Sequence, residues 1–138
     1  MARRLVLASH GILASGMKQA LELICGERRD VEVLDCYMQS SFDIEAAVKG
    51  IMDSQGDDEL LVISDMFGGP VNNEFIKHMG RENFYLVAGL NLALVVEITL
   101  QLQNTEPLEN IILRALRSSK SLICFCNNLS KDGAEEDF

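Results

Sequence analysis

The sequence predicts an α/β protein, a doubly wound, mainly parallel sheet with strand order 2-1-3-4 and helices on both faces. Two observations carry this. Apolar runs of strand length, Leu5-Val6-Leu7-Ala8 and Leu60-Leu61-Val62-Ile63, each stop at turn-forming residues, as strands buried on both faces do. Between such runs lie stretches that are apolar every third or fourth residue, the spacing of amphipathic helices. The alternation β-α-β-α-β-α-β-α-α-β calls for parallel strands joined by helical crossovers. Right-handed crossovers permit strands one and three to be neighbours, with the topological switch between them.

Each element has its own warrant. The first strand runs into Ser9-His10-Gly11, after which Leu13, Met17, Ala20, Leu21 and Ile24 form one helical stripe that Gly26 stops in a left-handed turn. Val31 to Tyr37 is a short second strand. Ser40 and Ser41 can cap a helix whose inward face is Ile44, Ala47, Val48 and Ile51. Gly56-Asp57-Asp58 turns the chain into the third strand, which ends at Ser64 and leads to Asp65-Met66-Phe67-Gly68-Gly69. Pro70 fits a first helical turn, where its missing N–H costs nothing. Val71, Phe75 and Met79 follow at spacings of four up to Gly80, and Phe84 to Ala88 is a fourth strand. Asn91 to Gln103 fits both strand and helix periodicity, and its length favours helix. Thr105 and Pro107 open a further helix with Leu108, Ile111, Ile112, Ala115 and Leu116 inward. Ser121 to Asn127 reads as a last short strand.

Composition narrows the function classes. The chain has 138 residues and is 48% hydrophobic, enough for one domain with a core of its own. Residues 1–130 read as that domain and 131–138 as an acidic, disordered tail. A formal charge of −9 argues against nucleic acid, which needs clustered Lys and Arg. The apolar segment after Arg3-Arg4 is broken too early for a signal peptide, and no run reaches the roughly 18 apolar residues of a membrane span. A cytoplasmic protein is the expectation. Cys25, Cys36, Cys124 and Cys126 lack C-x-x-C spacing and sit in apolar context, so they read as buried free thiols in a reducing compartment. No metal site and no cofactor is expected.

Chemistry concentrates at two strand ends. In open α/β sheets ligands bind outside the carboxyl ends of the strands, where His10 and Asp65 fall together if their strands are parallel neighbours. A carboxylate there accepts the proton of one imidazole nitrogen, fixes the tautomer and leaves the other nitrogen nucleophilic. A histidine in a turn is otherwise a surface residue or helix cap, and His78, late in a helix, reads as a plain surface residue. The helix after Gly11 would present free N–H groups to an anion on His10. Backbone at Gly11, Gly68 and Gly69 would cradle a phosphoryl group, although Gly68-Gly69 could equally be a tight turn. Gly11-x-x-x-x-Gly16-Met17-Lys18 is not a P-loop, because its lysine is one place late and no Ser or Thr follows. Gly16 reads instead as a helix residue at a close packing contact.

Three motifs in order, Leu5-Val6-Leu7-Ala8-Ser9-His10-Gly11 with Met17 and Leu21 to Gly26, Asp65-x-x-Gly68-Gly69 with Asn73, and Gly89-x-Asn91-x-x-Leu94-Val95-x-Glu97, run over nearly the whole chain. Together they resemble the mannose-family IIA component of the bacterial phosphoenolpyruvate sugar phosphotransferase system. The resemblance implies that His10 takes a phosphoryl group from the histidine-containing phosphocarrier protein. It implies transfer to a IIB component, which with membrane IIC and IID partners imports a hexose or amino sugar, and it implies that Asp65 orients His10. It also implies a homodimer in which the C-terminal strand, Ser121 to Cys126, is exchanged, antiparallel, with the partner. One departure stands out. The family usually has Ser or Thr before the proline after the paired glycines, whereas here Pro70 follows Gly69 directly and offers neither hydroxyl nor N–H. A non-catalytic regulatory or interaction module of the same fold is therefore the rival reading. Met66 and Phe67 at the site mouth read either as docking contacts or as core.

Overall fold

A computed structural model describes residues 1–129. The elements are β1 (Arg3–His10), α1 (Leu13–Cys25), β2 (Val31–Cys36), α2 (Ile44–Asp53), β3 (Glu59–Ser64), α3 (Pro70–Ile76), β4 (Phe84–Ala88), α4 (Leu92–Gln101) and α5 (Leu108–Lys120), followed by a 3₁₀ turn at Cys126–Asn128. The strands form one sheet in the order β2-β1-β3-β4. All three pairings are parallel, and Ala8 lies opposite both Leu34 and Ser64. The predicted fold class and strand order are thus observed.

Strand alternation divides the core into two layers. Leu5, Leu7, Leu61 and Ile63 pack with Leu21, Leu94, Ile98, Leu108 and Ile111 under α1, α4 and α5. Val6, Ala8, Leu60 and Val62 pack with Val48, Met52, Val71 and Phe75 under α2 and α3. Each fully buried Leu, Val or Phe in these layers contributes about 1.5–3 kcal/mol relative to exposure. β1 and β3 are covered on both faces and bonded on both edges, so the two strand ends that carry His10 and Asp65 are held by the centre of the sheet.

Several details differ from the sequence reading. The buried side of α1 is Ala14 and Leu21 with partly buried Met17 and Cys25, while Leu13 and Ile24 are exposed. Met17, Ala20 and Leu21 keep their predicted side, while at the two ends of the stripe Ala14 replaces Leu13 and Cys25 replaces Ile24. Gly16 has open space where a side chain would go, so it marks no packing contact. The cap of α2 is Asp43, whose carboxylate accepts from the Ala46 N–H at 3.2 Å; Ser40 and Ser41 lie upstream of the helix. α3 stops at Ile76, leaving Met79 exposed and His78 in the turn beyond. The ambiguous stretch is helix, capped by Asn91 accepting from the Leu94 N–H at 3.0 Å.

The predicted strand at Ser121–Asn127 is not a strand in the single chain. It forms a turn that runs into the 3₁₀ residues, with Leu122, Ile123 and Phe125 exposed. Alternating apolar residues make a strand only where a neighbour accepts their backbone hydrogen bonds, and no ladder among the described residues includes this segment. Cys36 is buried and Cys25 partly so, but Cys124 and Cys126 are exposed, their sulfurs 4.0 Å apart. The acidic stretch 131–138 lies outside the described residues. No helix among them is long and apolar enough to cross a membrane.

Candidate active site

Parallel pairing of β1 with β3 brings His10, the last residue of β1, beside Asp65, the first residue after β3. Asp65 Oδ2 accepts the His10 backbone N–H at 2.8 Å and lies 2.7 Å from His10 Nδ1. Its Oδ1 accepts the Met66 N–H at 3.0 Å. Burial of the Asp65 carboxyl works to raise its pKa, but the His10 backbone and ring donors, with Met66, outweigh it and hold the group below the usual carboxylate range. An ionised carboxylate can only accept, so the Nδ1 facing it carries the proton. In the neutral ring the lone pair then resides on Nε2. The side chain of His10 is 43% exposed and that of Asp65 only 9%, so the imidazole is open to a reactant and the carboxylate lies mostly out of solvent.

The loop after Asp65 shapes the space beside the ring. Gly68 has φ +82°, a left-handed conformation that favours glycine, and makes the turn. Gly69 has an ordinary φ of −85°, and its need is room. A Cβ on this buried residue would lie 3.6 Å from His10 Cε1 and 3.0 Å from Met66 Cγ. Gly68 thus makes the tight turn, and the Gly69 backbone packs close to the Met66 side chain and the His10 ring. Pro70 opens α3 at its first position. Asn73 Nδ2 donates to the Gly68 carbonyl at 3.4 Å.

The opposite wall departs from expectation. The Gly11 N–H donates to the Cys36 carbonyl at 2.7 Å, so it is not open to an anion. At the start of α1 the Ala14 N–H goes to Ser9 Oγ at 2.7 Å and the Ser15 N–H to Asp35 Oδ1 at 3.1 Å, while Ser15 Oγ also donates to Asp35. These helix donors are already used. Met66 and Phe67 are exposed, which removes the core reading for both. Phe67 borders a cleft of about 200 Å³ with Ile76, Met79 and Leu86.

Sequence reasoning missed Tyr37. Its ring stacks on His10, with centroids 5.4 Å apart and planes at 27°. The signal was register: Cys36 pairs with His10 across β1 and β2, so the next residue emerges at the same edge. It also missed the buried pair Ser64 and Asn72 under the Asp65 loop. Cys36, whose thiol is pushed up to about 11 by burial and then by the charges of Asp65 and Asp35, stays a thiol beside the site. Among the described residues no three His, Cys, Asp or Glu side chains are grouped to hold a metal.

Known proteins share this fold. Residues 4–115 match the family described as PTS system fructose IIA component. A candidate phosphoenolpyruvate-dependent sugar phosphotransferase system permease from Klebsiella pneumoniae is 36% identical, with TM-score 0.89 and 93% of each chain covered. The mannose/sorbose-specific IIA subunit of the Enterococcus faecalis phosphotransferase system is 25% identical, with TM-score 0.77, over 91% of this chain and 95% of that one. The IIA protein associated with the fucose utilization operon of Streptococcus pneumoniae is 28% identical, with TM-score 0.71, over 86% and 91%. With most of its length matched and its sheet in the same order, the chain belongs to the mannose and fructose type IIA family of the sugar phosphotransferase system, whose members are phosphotransferase components of sugar uptake.

Proposed function

We propose that the protein is a phosphoryl carrier whose acceptor is His10 Nε2. The observation that carries this reading is the Asp65 contact to His10 Nδ1 at 2.7 Å, which leaves Nε2 as the outward lone pair. The donor is the histidine-containing phosphocarrier protein. The Nε2 lone pair attacks its phosphoryl group, an Nε2–P bond forms, and the donor's N–P bond breaks with its electron pair returning to the donor imidazole. The Nδ1 proton stays in place against Asp65, which offsets the positive charge that the ring gains. Reversing these roles delivers the group to a IIB component, which hands it on in uptake of a hexose or amino sugar through the membrane IIC and IID components.

Such a transfer needs alignment and donors for the equatorial oxygens rather than covalent help. In this reading main chain at Gly68 and Gly69, the latter packed against the His10 ring, supplies those donors. Gly11 is withdrawn from that role by its bond to Cys36. No metal or cofactor takes part. Met66 and Phe67, exposed beside the ring, suit docking of the protein partners. A cytoplasmic homodimer, with Ser121–Cys126 paired to the partner as an antiparallel strand, gives the exposed Leu122, Ile123 and Phe125 a cover.

Incubation with phosphoenolpyruvate, enzyme I and the phosphocarrier protein tests the reading. An acid-labile phosphoryl group on His10, lost in His10→Ala, is the expected result. The second reading, a regulatory or interaction module without transfer, is favoured by Pro70, which removes both a hydroxyl and an N–H from the loop. An unlabelled protein under conditions that label another IIA component would reject the carrier reading.

A further inference from the structure

Tyr37 holds a backbone conformation that aromatic residues seldom take. Its φ is +65°, in the left-handed region, where a side chain crowds its own carbonyl. The residue is 42% exposed, so core burial does not keep it there. Its ring instead lies over the imidazole of His10, and Phe42 meets Tyr37 edge-on at 5.0 Å between centroids, with planes at 64°. Phe42 is itself packed against the buried layer under α2. A continuous backing thus runs from the core through Phe42 and Tyr37 to His10. Strained residues persist where the surroundings over-determine them, and they cluster at functional sites.

The Asp65 contacts hold one edge of the imidazole and leave the ring able to rock about the line from Nδ1 to Oδ2. We propose that Tyr37 is a positioning residue for phosphoryl transfer: its ring clamps the face of His10, keeps Nε2 on one line of attack, and offers its π face to the charge that the ring gains on phosphorylation. This rests on the reading of His10 as acceptor.

The test compares wild type with Tyr37→Phe, Tyr37→Ala and Tyr37→Gly in single-turnover transfer from the phosphorylated phosphocarrier protein. NMR shifts of the His10 ring protons and urea midpoints accompany it. Tyr37→Ala is expected to lower the maximal transfer rate by about 10- to 100-fold with half-saturation unchanged, and to abolish the ring-current shift of the His10 protons. Tyr37→Phe keeps the ring and rescues both. Tyr37→Gly relieves the backbone strain, so it unfolds no earlier than Tyr37→Ala, yet transfers as poorly. Wild-type transfer in Tyr37→Ala, or unmoved His10 shifts, overturns the proposal alone. A wild-type protein that takes no phosphoryl group while its ring-current shift is present overturns the acceptor reading and this proposal with it.

Discussion

Ser64 Oγ donates to Asn72 Oδ1 across 2.6 Å, with both residues buried. The bond joins the last residue of β3 to the first turn of α3 and so closes the base of the loop that carries Asp65, Gly68 and Gly69. Ser64→Ala leaves the Asn72 carbonyl oxygen buried without this donor. The expected cost is about 1–3 kcal/mol of stability, read in urea unfolding. A drop in phosphoryl transfer without loss of half-saturation would show the loosened loop reaching His10.

Asp65→Asn places an amide where an ionised acceptor stood. The neutral oxygen binds the Nδ1 proton less well, and the ring is free to adopt the other tautomer. Transfer is expected to fall by about 10²-fold, measured as the initial rate of label incorporation.

The same carboxylate makes stability depend on pH in one direction. Its folded pKa is lowered, so the unfolded chain binds its proton first as the pH falls. The stabilisation is complete above the ordinary carboxylate value of about 4 and is lost as pH drops through the folded value. Wild type is therefore expected to exceed Asp65→Asn in urea midpoint at pH 7, and the gap is expected to close under acid conditions. A gap that widened in acid would contradict the hydrogen-bonding account.

Gly69→Ala separates space from backbone freedom. With φ at −85° the substitution carries no conformational strain, and the new methyl meets the exposed Met66 side chain, which can move aside. Stability should change by no more than about 1 kcal/mol. Gly69→Val adds branches at the 3.6 Å approach to His10 Cε1, next to Nε2, and is expected to reduce phosphoryl transfer more than it reduces the thermal midpoint.

Thiol chemistry offers a test of the site's electrostatics. Burial, reinforced by Asp65 and Asp35, holds Cys36 as a thiol until about pH 11. Iodoacetamide at pH 8 should modify exposed Cys126 and spare Cys36 in the native protein, as mapped by peptide mass. Modification of Cys36 in denaturant confirms that the protection comes from the fold.

The central strands and their end residues were readable in the sequence because their information is local: an apolar run, then a histidine or an aspartate, then glycine. Parallel order did the rest, since it places the ends of β1 and β3 together whatever lies between. What escaped depends on contacts that spacing does not encode. Ala14 rather than Leu13 faces the sheet because the phase of α1 is set by packing, and Asp43 displaces Ser40 and Ser41 as cap because the helix begins later. Tyr37 matters through one positive φ and a ring that happens to reach His10. The segment at 121–127 has strand alternation without a strand of its own chain beside it, so its periodicity alone does not say what it pairs with.

The position of His10 and Asp65 at the ends of the two inner strands ties their chemistry to global unfolding. Amides of Leu5–Ala8 and Leu61–Ile63, in the two inner strands, are expected to exchange with solvent only on global opening, and those of β2 and β4 at the rim earlier, as hydrogen exchange would show. Heating should therefore leave the histidine and its carboxylate paired until the single cooperative melt, and a protein warmed to just short of that point and cooled should recover its full acceptor capacity.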